Sequence, residues 1–155
     1  MILRFINILP NIYWFFIEID KKKIDNTNII ANRIQQFCKL KQINKLIRLD
    51  QDTSYWNKHN MYNAMIQQQI VEMESKKLTN YIIGKVAQIK NDYFNYNKTL
   101  IISNNYTDVA IILFIYLLED LCNMNYKQSL ISIQSKMTTK LIIQNKNTKL
   151  LLKKK

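Results

Sequence analysis

The chain has 155 residues, of which 48% are hydrophobic and 22% charged, so it is long enough to form one domain with an ordinary buried core. A single glycine and a single proline exclude dinucleotide-binding and Walker-type loops, which need glycine where the backbone approaches phosphate. One histidine and two cysteines are too few for a structural zinc site or a histidine-based triad. No metal and no cofactor are therefore expected.

The cysteine pattern and the residue usage predict the compartment in which the protein is found. Cys38 and Cys122 stand far apart with no dense cysteine framework, which predicts two free, buried thiols in a reducing intracellular compartment. Isoleucine, asparagine and lysine are used heavily, as in proteins from AT-rich coding genomes. The expected location is the cytoplasm, or a virion if the chain is viral.

The net charge of +12 is concentrated at the carboxyl end, where residues 136–155 include seven lysines and no acid. We therefore divide the chain into a domain over 1–138 and a basic tail or terminal helix over 139–155. Such a tail attracts polyanions, including nucleic acid, and solubility alone is an equally good explanation. Its candidate polyanion-binding residues are Lys140, Lys146, Lys149, Lys153, Lys154 and Lys155.

The most apolar stretch is residues 109–118, which is followed at once by Glu119 and Asp120. A membrane-spanning helix needs about 20 apolar residues. The sequence therefore predicts no membrane span.

The first third of the chain predicts two strands, a helix and a third strand. Residues 5–9 and 12–19 are rich in β-branched and aromatic residues on either side of Pro10-Asn11, which is typical of a hairpin. A helix is predicted over 28–40, because apolar residues recur there at helical spacing. Residues 43–49 form the third predicted strand.

The rest of the chain continues the alternation of strands and helices. The predicted elements are a strand over 65–72, a helix over 78–93, a buried strand over 99–102, a polar loop over 103–108, and helices over 109–121 and 125–136. This order predicts a single α/β domain whose central sheet is mixed, partly parallel, built of about five strands and flanked by helices.

In this order the elements resemble a dual-specificity (protein tyrosine) phosphatase domain over nearly the whole chain. The phrase ILPNIY (residues 8–13) is similar to the opening I-x-P-x-I/L-Y of that family, and QINKLIRL (residues 42–49) is similar to its next strand. Two later phrases, IYLL (residues 115–118) and NMNYKQS (residues 123–129), match its signature helix and the segment after it. The resemblance implies a phosphatase-like fold.

The same resemblance implies that the catalytic groups are missing. The loop of the family has a cysteine nucleophile, five intervening residues and a phosphate-binding arginine; Ser103 stands at the cysteine and Asp108 or Val109 at the arginine. The general-acid position falls on Glu72, which is otherwise a solvated loop carboxylate. Ser103 is either a surviving phosphate contact or, more simply, a loop serine or helix N-cap. The degenerate phosphate-loop positions are Ser103, Asn104, Asn105, Tyr106, Thr107 and Asp108.

Two functions remain open. The first is a catalytically inactive, phosphatase-like protein that binds a protein partner or holds a structural place in an assembly. The second is a basic protein of a ribonucleoprotein, such as an organellar ribosomal or accessory protein, which binds RNA through its lysine-rich carboxyl end.

Overall fold

The computed structural model describes residues 2–18, 27–49, 75–104 and 107–137. Their elements in chain order are β1 (Ile2–Leu9), β2 (Ile12–Glu18), α1 (Thr27–Lys41), β3 (Lys45–Arg48), α2 (Ser75–Phe94), β4 (Thr99–Asn104), α3 (Thr107–Cys122) and α4 (Tyr126–Ser135). Together they form the predicted single α/β domain.

The four described strands form one mixed sheet in the order β1-β2-β4-β3. β1 and β2 are antiparallel, whereas β4 is parallel to both of its neighbours, β2 and β3. The predicted mixed, partly parallel sheet is thus confirmed. The fifth strand, predicted over 65–72, lies outside the described residues.

Pro10 and Asn11 make the turn between β1 and β2. Asn11 has a φ of 67°, a left-handed conformation that asparagine adopts more readily than most residues. Its carbonyl oxygen accepts a hydrogen bond of 2.9 Å from the N–H of Thr99, which ties the turn to the start of β4. The predicted hairpin is confirmed.

Alternate residues of the central strands face two hydrophobic clusters, because side chains along a strand point to opposite faces of the sheet. On one face, Ile34 of α1 packs in a cluster with Phe15 and Ile102. On the other face, Trp14 and Ile101 belong to a larger cluster that includes residues of α2, α3 and α4.

α3 is buried over most of its surface, and residues 110–115 are almost completely inaccessible. A helix that is hydrophobic on all sides belongs in a core. Among the described residues no single helix is long and apolar enough to cross a membrane; α3 and α4 satisfy such a criterion only as a pair, with a bend of 112° between them.

A capping box begins α4, which is the helix predicted over 125–136. The N–H of Gln128 donates to the Asn125 side chain at 2.9 Å, and the N–H of Asn125 donates to the Gln128 side chain at 2.9 Å. This reciprocal pair satisfies two of the N–H groups that a helix start leaves without partners.

The largest correction concerns the loop predicted over 103–108. β4 continues to Asn104 and α3 already begins at Thr107, so only residues 105 and 106 connect them. The strand is longer than predicted because β2 continues to pair with it as far as Asn104. The elements predicted over 28–40, 43–49 and 78–93 are all found, with ends that differ by at most three residues.

Candidate functional site

The candidate site is the junction between the end of β4 and the start of α3. β2, β3 and β4 are parallel, so their carboxyl ends meet at one edge of the sheet, which is where ligands bind in α/β proteins. The first turn of α3 also offers unpaired N–H groups and the positive end of the helix dipole. The scaffold therefore suits an anion site, and the side chains decide whether one is present.

A β-bulge lies at this junction and is centred on Ser103. Phe15 pairs with Ile102, whereas the next residue of β2, Phe16, pairs with Asn104. Ser103 is therefore the extra residue of β4 against β2. Bulges locally change the direction in which a side chain points, and here the side chain of Ser103 meets Trp14.

The hydroxyl of Ser103 is bound inside the core. The Nε1–H of Trp14 donates a buried hydrogen bond of 2.9 Å to Ser103 Oγ, and both residues are 0% exposed. The Trp14 ring stacks on Phe16 with centroids 4.3 Å apart and contacts Phe114 at 5.2 Å. In this position the serine oxygen stabilises the core and is closed to solvent.

The structure places the other predicted loop residues as follows. Asn104 ends β4, and Thr107 and Asp108 are the first residues of α3. Asn105 and Tyr106 lie outside the described residues. Ser103 is therefore a strand residue, and the interpretation of it as a loop serine or helix N-cap is wrong, because the pairing with β2 extends beyond it.

The remaining predicted site residues lie outside the described part of the chain. They are the general-acid position Glu72 and the tail lysines Lys140, Lys146, Lys149, Lys153, Lys154 and Lys155. Within the described residues, no three histidine, cysteine, aspartate or glutamate side chains come together as a possible metal site.

Neither cysteine lies at the candidate site. Both are free, but Cys122 is exposed and Cys38 only half-buried, so the prediction of two buried thiols is wrong. Cys38 packs against the cluster of Phe15 and Ile102, on the face of the sheet opposite Ser103. Burial raises the pKa of the Cys38 thiol, which lowers its thiolate fraction near neutral pH.

Sequence reasoning missed Trp14, the residue that determines the environment of Ser103. A signal was present, since a buried indole N–H needs an acceptor and Trp14 lies among the apolar residues of β2. Which acceptor it finds depends on the pairing of β2 with β4.

No protein-family model matches the chain, and no curated protein matches it.

Proposed function

We propose that this chain is a catalytically inactive, dual-specificity-phosphatase-like protein that acts by binding a protein partner or as a structural component of an assembly. The observation that carries the proposal is the buried hydrogen bond from Trp14 to Ser103. A serine that replaces the nucleophile of the family would have to reach a phosphate ester, and this hydroxyl is 0% exposed.

The arrangement of β4 and α3 supports the phosphatase-like part of the proposal. The strand that resembles the signature strand of the family lies inside the sheet between two parallel neighbours. It leads directly into α3, the helix that contains the phrase IYLL at residues 115–118. A strand, a short connection and a helix start in this order are what the resemblance implies.

The length of the connection supports the loss of activity. The loop implied by the resemblance has five residues between nucleophile and arginine, whereas four residues separate Ser103 from Asp108, and of these Asn104 belongs to β4 and Thr107 to α3. Asp108 stands near the arginine position, and a carboxylate repels a phosphate that an arginine would bind through two hydrogen bonds.

Hydrolysis of a generic aryl phosphate by the full chain tests the proposal. We expect no turnover above the buffer rate. Ser103→Ala removes the hydroxyl, whereas Trp14→Phe removes the same hydrogen bond and keeps the hydroxyl. Turnover that Ser103→Ala abolishes and Trp14→Phe retains would falsify the proposal, because loss of folding would affect both variants.

A second function, RNA binding in a ribonucleoprotein, is favoured by the charge of the carboxyl end. Residues 136–155 include seven lysines and no acid. Phosphate contacts release counterions, so the affinity for RNA should fall steeply with salt. Deletion of 140–155 should abolish this binding, and an affinity that salt and the deletion leave unchanged would exclude it.

A further inference from the structure

Two helix-to-strand connections meet at the end of the sheet opposite the candidate site. α1 leads into β3 and α2 leads into β4. Since β3 and β4 are parallel neighbours, with Lys45 opposite Thr99, both connections lie at the same end. We call residues 42–44 and 95–98 the paired turns.

Asn44 fastens the paired turns to each other. Its Nδ2 donates to Asn97 Oδ1 at 3.0 Å, and its Oδ1 accepts from the N–H of Lys98 at 2.8 Å. Its backbone N–H also donates to the carbonyl oxygen of Lys98 at 3.0 Å. The two connections therefore form one unit with a fixed shape.

Large apolar side chains are exposed in the paired turns and at the ends of the helices that lead into them. Tyr96 is 89% exposed, Leu40 77% and Phe94 63%, and they are three of the four most exposed large hydrophobic residues in the described part of the chain. A single exposed apolar residue is ordinary. Leu40 is near the end of α1 on one face of the sheet and Phe94 ends α2 on the other, and several exposed apolar residues at the same end of a sheet indicate an interaction surface.

The backbone of Tyr96 is strained, which is a second and independent observation. The N–H of Tyr96 donates to Tyr93 O at 3.1 Å and the N–H of Asn97 to Asp92 O at 3.0 Å, the two bonds that end a helix with a left-handed residue, usually glycine. Tyr96 has a φ of 60°, which is unfavourable for a bulky side chain.

The other three left-handed residues in the described part of the chain are the amides Asn11, Gln42 and Asn123. The exposed ring of Tyr96 stabilises neither the turn nor the core. Strained residues cluster where a contact with another molecule needs them, so this ring is best explained by such a contact.

Lysines surround the projecting side chains. Lys39 and Lys41 lie in the last turn of α1, Lys45 begins β3 and Lys98 precedes β4. Among the described residues, the acid closest in sequence to Tyr96 is Asp92, and it is buried with 9% exposure.

The type of cation favours a lipid surface over a protein. Protein interfaces are enriched in arginine and depleted in lysine, whereas the negative surface potential of anionic lipids attracts lysine and arginine alike. Leucine, phenylalanine and tyrosine are also the side chains that enter the interfacial region of a bilayer.

We propose that this end of the molecule docks on a membrane surface that contains anionic lipids. Leu40, Phe94 and Tyr96 enter the headgroup region, and Lys39, Lys41, Lys45 and Lys98 face the lipid phosphates. Such docking is peripheral and needs no membrane-spanning helix. It is also independent of whether the domain is a phosphatase relative.

Co-sedimentation of the full chain with vesicles tests this proposal, with phosphatidylcholine alone compared with a mixture of phosphatidylcholine and phosphatidylserine. The test variant carries Leu40→Gln, Phe94→Gln and Tyr96→Asn, which keep the net charge, and asparagine suits the left-handed position. The matched control is Ile29→Gln, because Ile29 is 50% exposed near the opposite end of α1. All these proteins keep the lysine-rich carboxyl end, so its attraction to the vesicles cancels in the comparison.

We expect the wild type and Ile29→Gln to sediment with the mixed vesicles, and the triple variant to bind at least about tenfold more weakly. A wild type that stays in the supernatant would overturn the proposal and leave a protein as the partner of this end. Equal affinities of the triple variant and the wild type would overturn it as well, as would equal binding of the wild type to vesicles of phosphatidylcholine alone.

Discussion

Trp14 and Ser103 are 89 positions apart in the chain, yet the indole N–H of one donates to the hydroxyl oxygen of the other at 2.9 Å inside the core. The bond joins the two central strands, β2 and β4, on the face covered by α3. Ser103 thus stabilises the core of this chain.

The first prediction is that Ser103→Ala destabilises the protein. The substitution leaves the Trp14 N–H buried without its acceptor, and an unsatisfied buried donor costs about 1–3 kcal/mol. Urea denaturation of the variant and the wild type measures the difference in the free energy of unfolding, provided that the two proteins have the same m-value.

A double-mutant cycle provides the control. Trp14→Phe loses the donor and some packing, and the cost of Ser103→Ala should be much smaller in that background because no donor remains to be stranded. Additive losses would show that the two residues are not coupled, which contradicts the observed bond.

The second prediction concerns Ser129 of α4, whose hydroxyl is buried without a hydrogen-bond partner. Ser129→Ala removes a desolvated polar group, so we expect the free energy of unfolding to rise by about 1 kcal/mol. Ser135→Ala is the matched control, because the Ser135 hydroxyl donates to Ser132 O at 2.7 Å and is exposed. A loss of stability in Ser129→Ala would indicate a partner that the structure does not contain.

The third prediction is that Tyr96→Gly stabilises the protein. A non-glycine residue in the left-handed conformation costs about 1–2 kcal/mol, and the exposed ring of Tyr96 returns little packing energy. We expect a gain of about 1 kcal/mol for Tyr96→Gly and a clearly smaller one for Tyr96→Ala, which keeps the strain. Equal stabilities of the two variants in thermal denaturation would argue against strain at this position.

The fourth prediction distinguishes the two thiols. Burial raises the pKa of Cys38, so at pH 7–8 a smaller fraction of it is thiolate, whereas Cys122 is exposed. Alkylation by iodoacetamide, followed by mass spectrometry, should modify Cys122 first and should speed up at Cys38 as the pH rises. Equal alkylation rates of Cys38 and Cys122 at neutral pH would contradict the packing of α1, which contains Cys38, on the sheet.

Local sequence signals predicted most of the fold because the signals are strong. Pro10 and Asn11 specify the hairpin turn. The apolar residues of α3 predict that this helix is buried in the core. The amphipathic pattern of residues 125–136 predicts α4. Each of these features depends on neighbouring residues, which a sequence displays directly.

The end of β4 was predicted less well because a tertiary contact determines it. Ser103 and Asn104 are polar and indicate a loop on their own, but the pairing with β2 and the indole of Trp14 keep them in the strand. A contact between residues this far apart leaves no local pattern. For the same reason the exposed end formed by Leu40, Phe94 and Tyr96 emerges only when β3 and β4 are placed side by side.

The most direct test of whether phosphate can reach Ser103 is the NMR signal of the Trp14 indole N–H during a titration with inorganic phosphate. The signal is assigned by its disappearance in Trp14→Phe. If Ser103 is closed in the core, this N–H exchanges slowly with solvent and its chemical shift does not move as phosphate is added. An indole that exchanges like an exposed one, or a shift that saturates with phosphate, would contradict the proposal that the Ser103 hydroxyl cannot reach a phosphate ester.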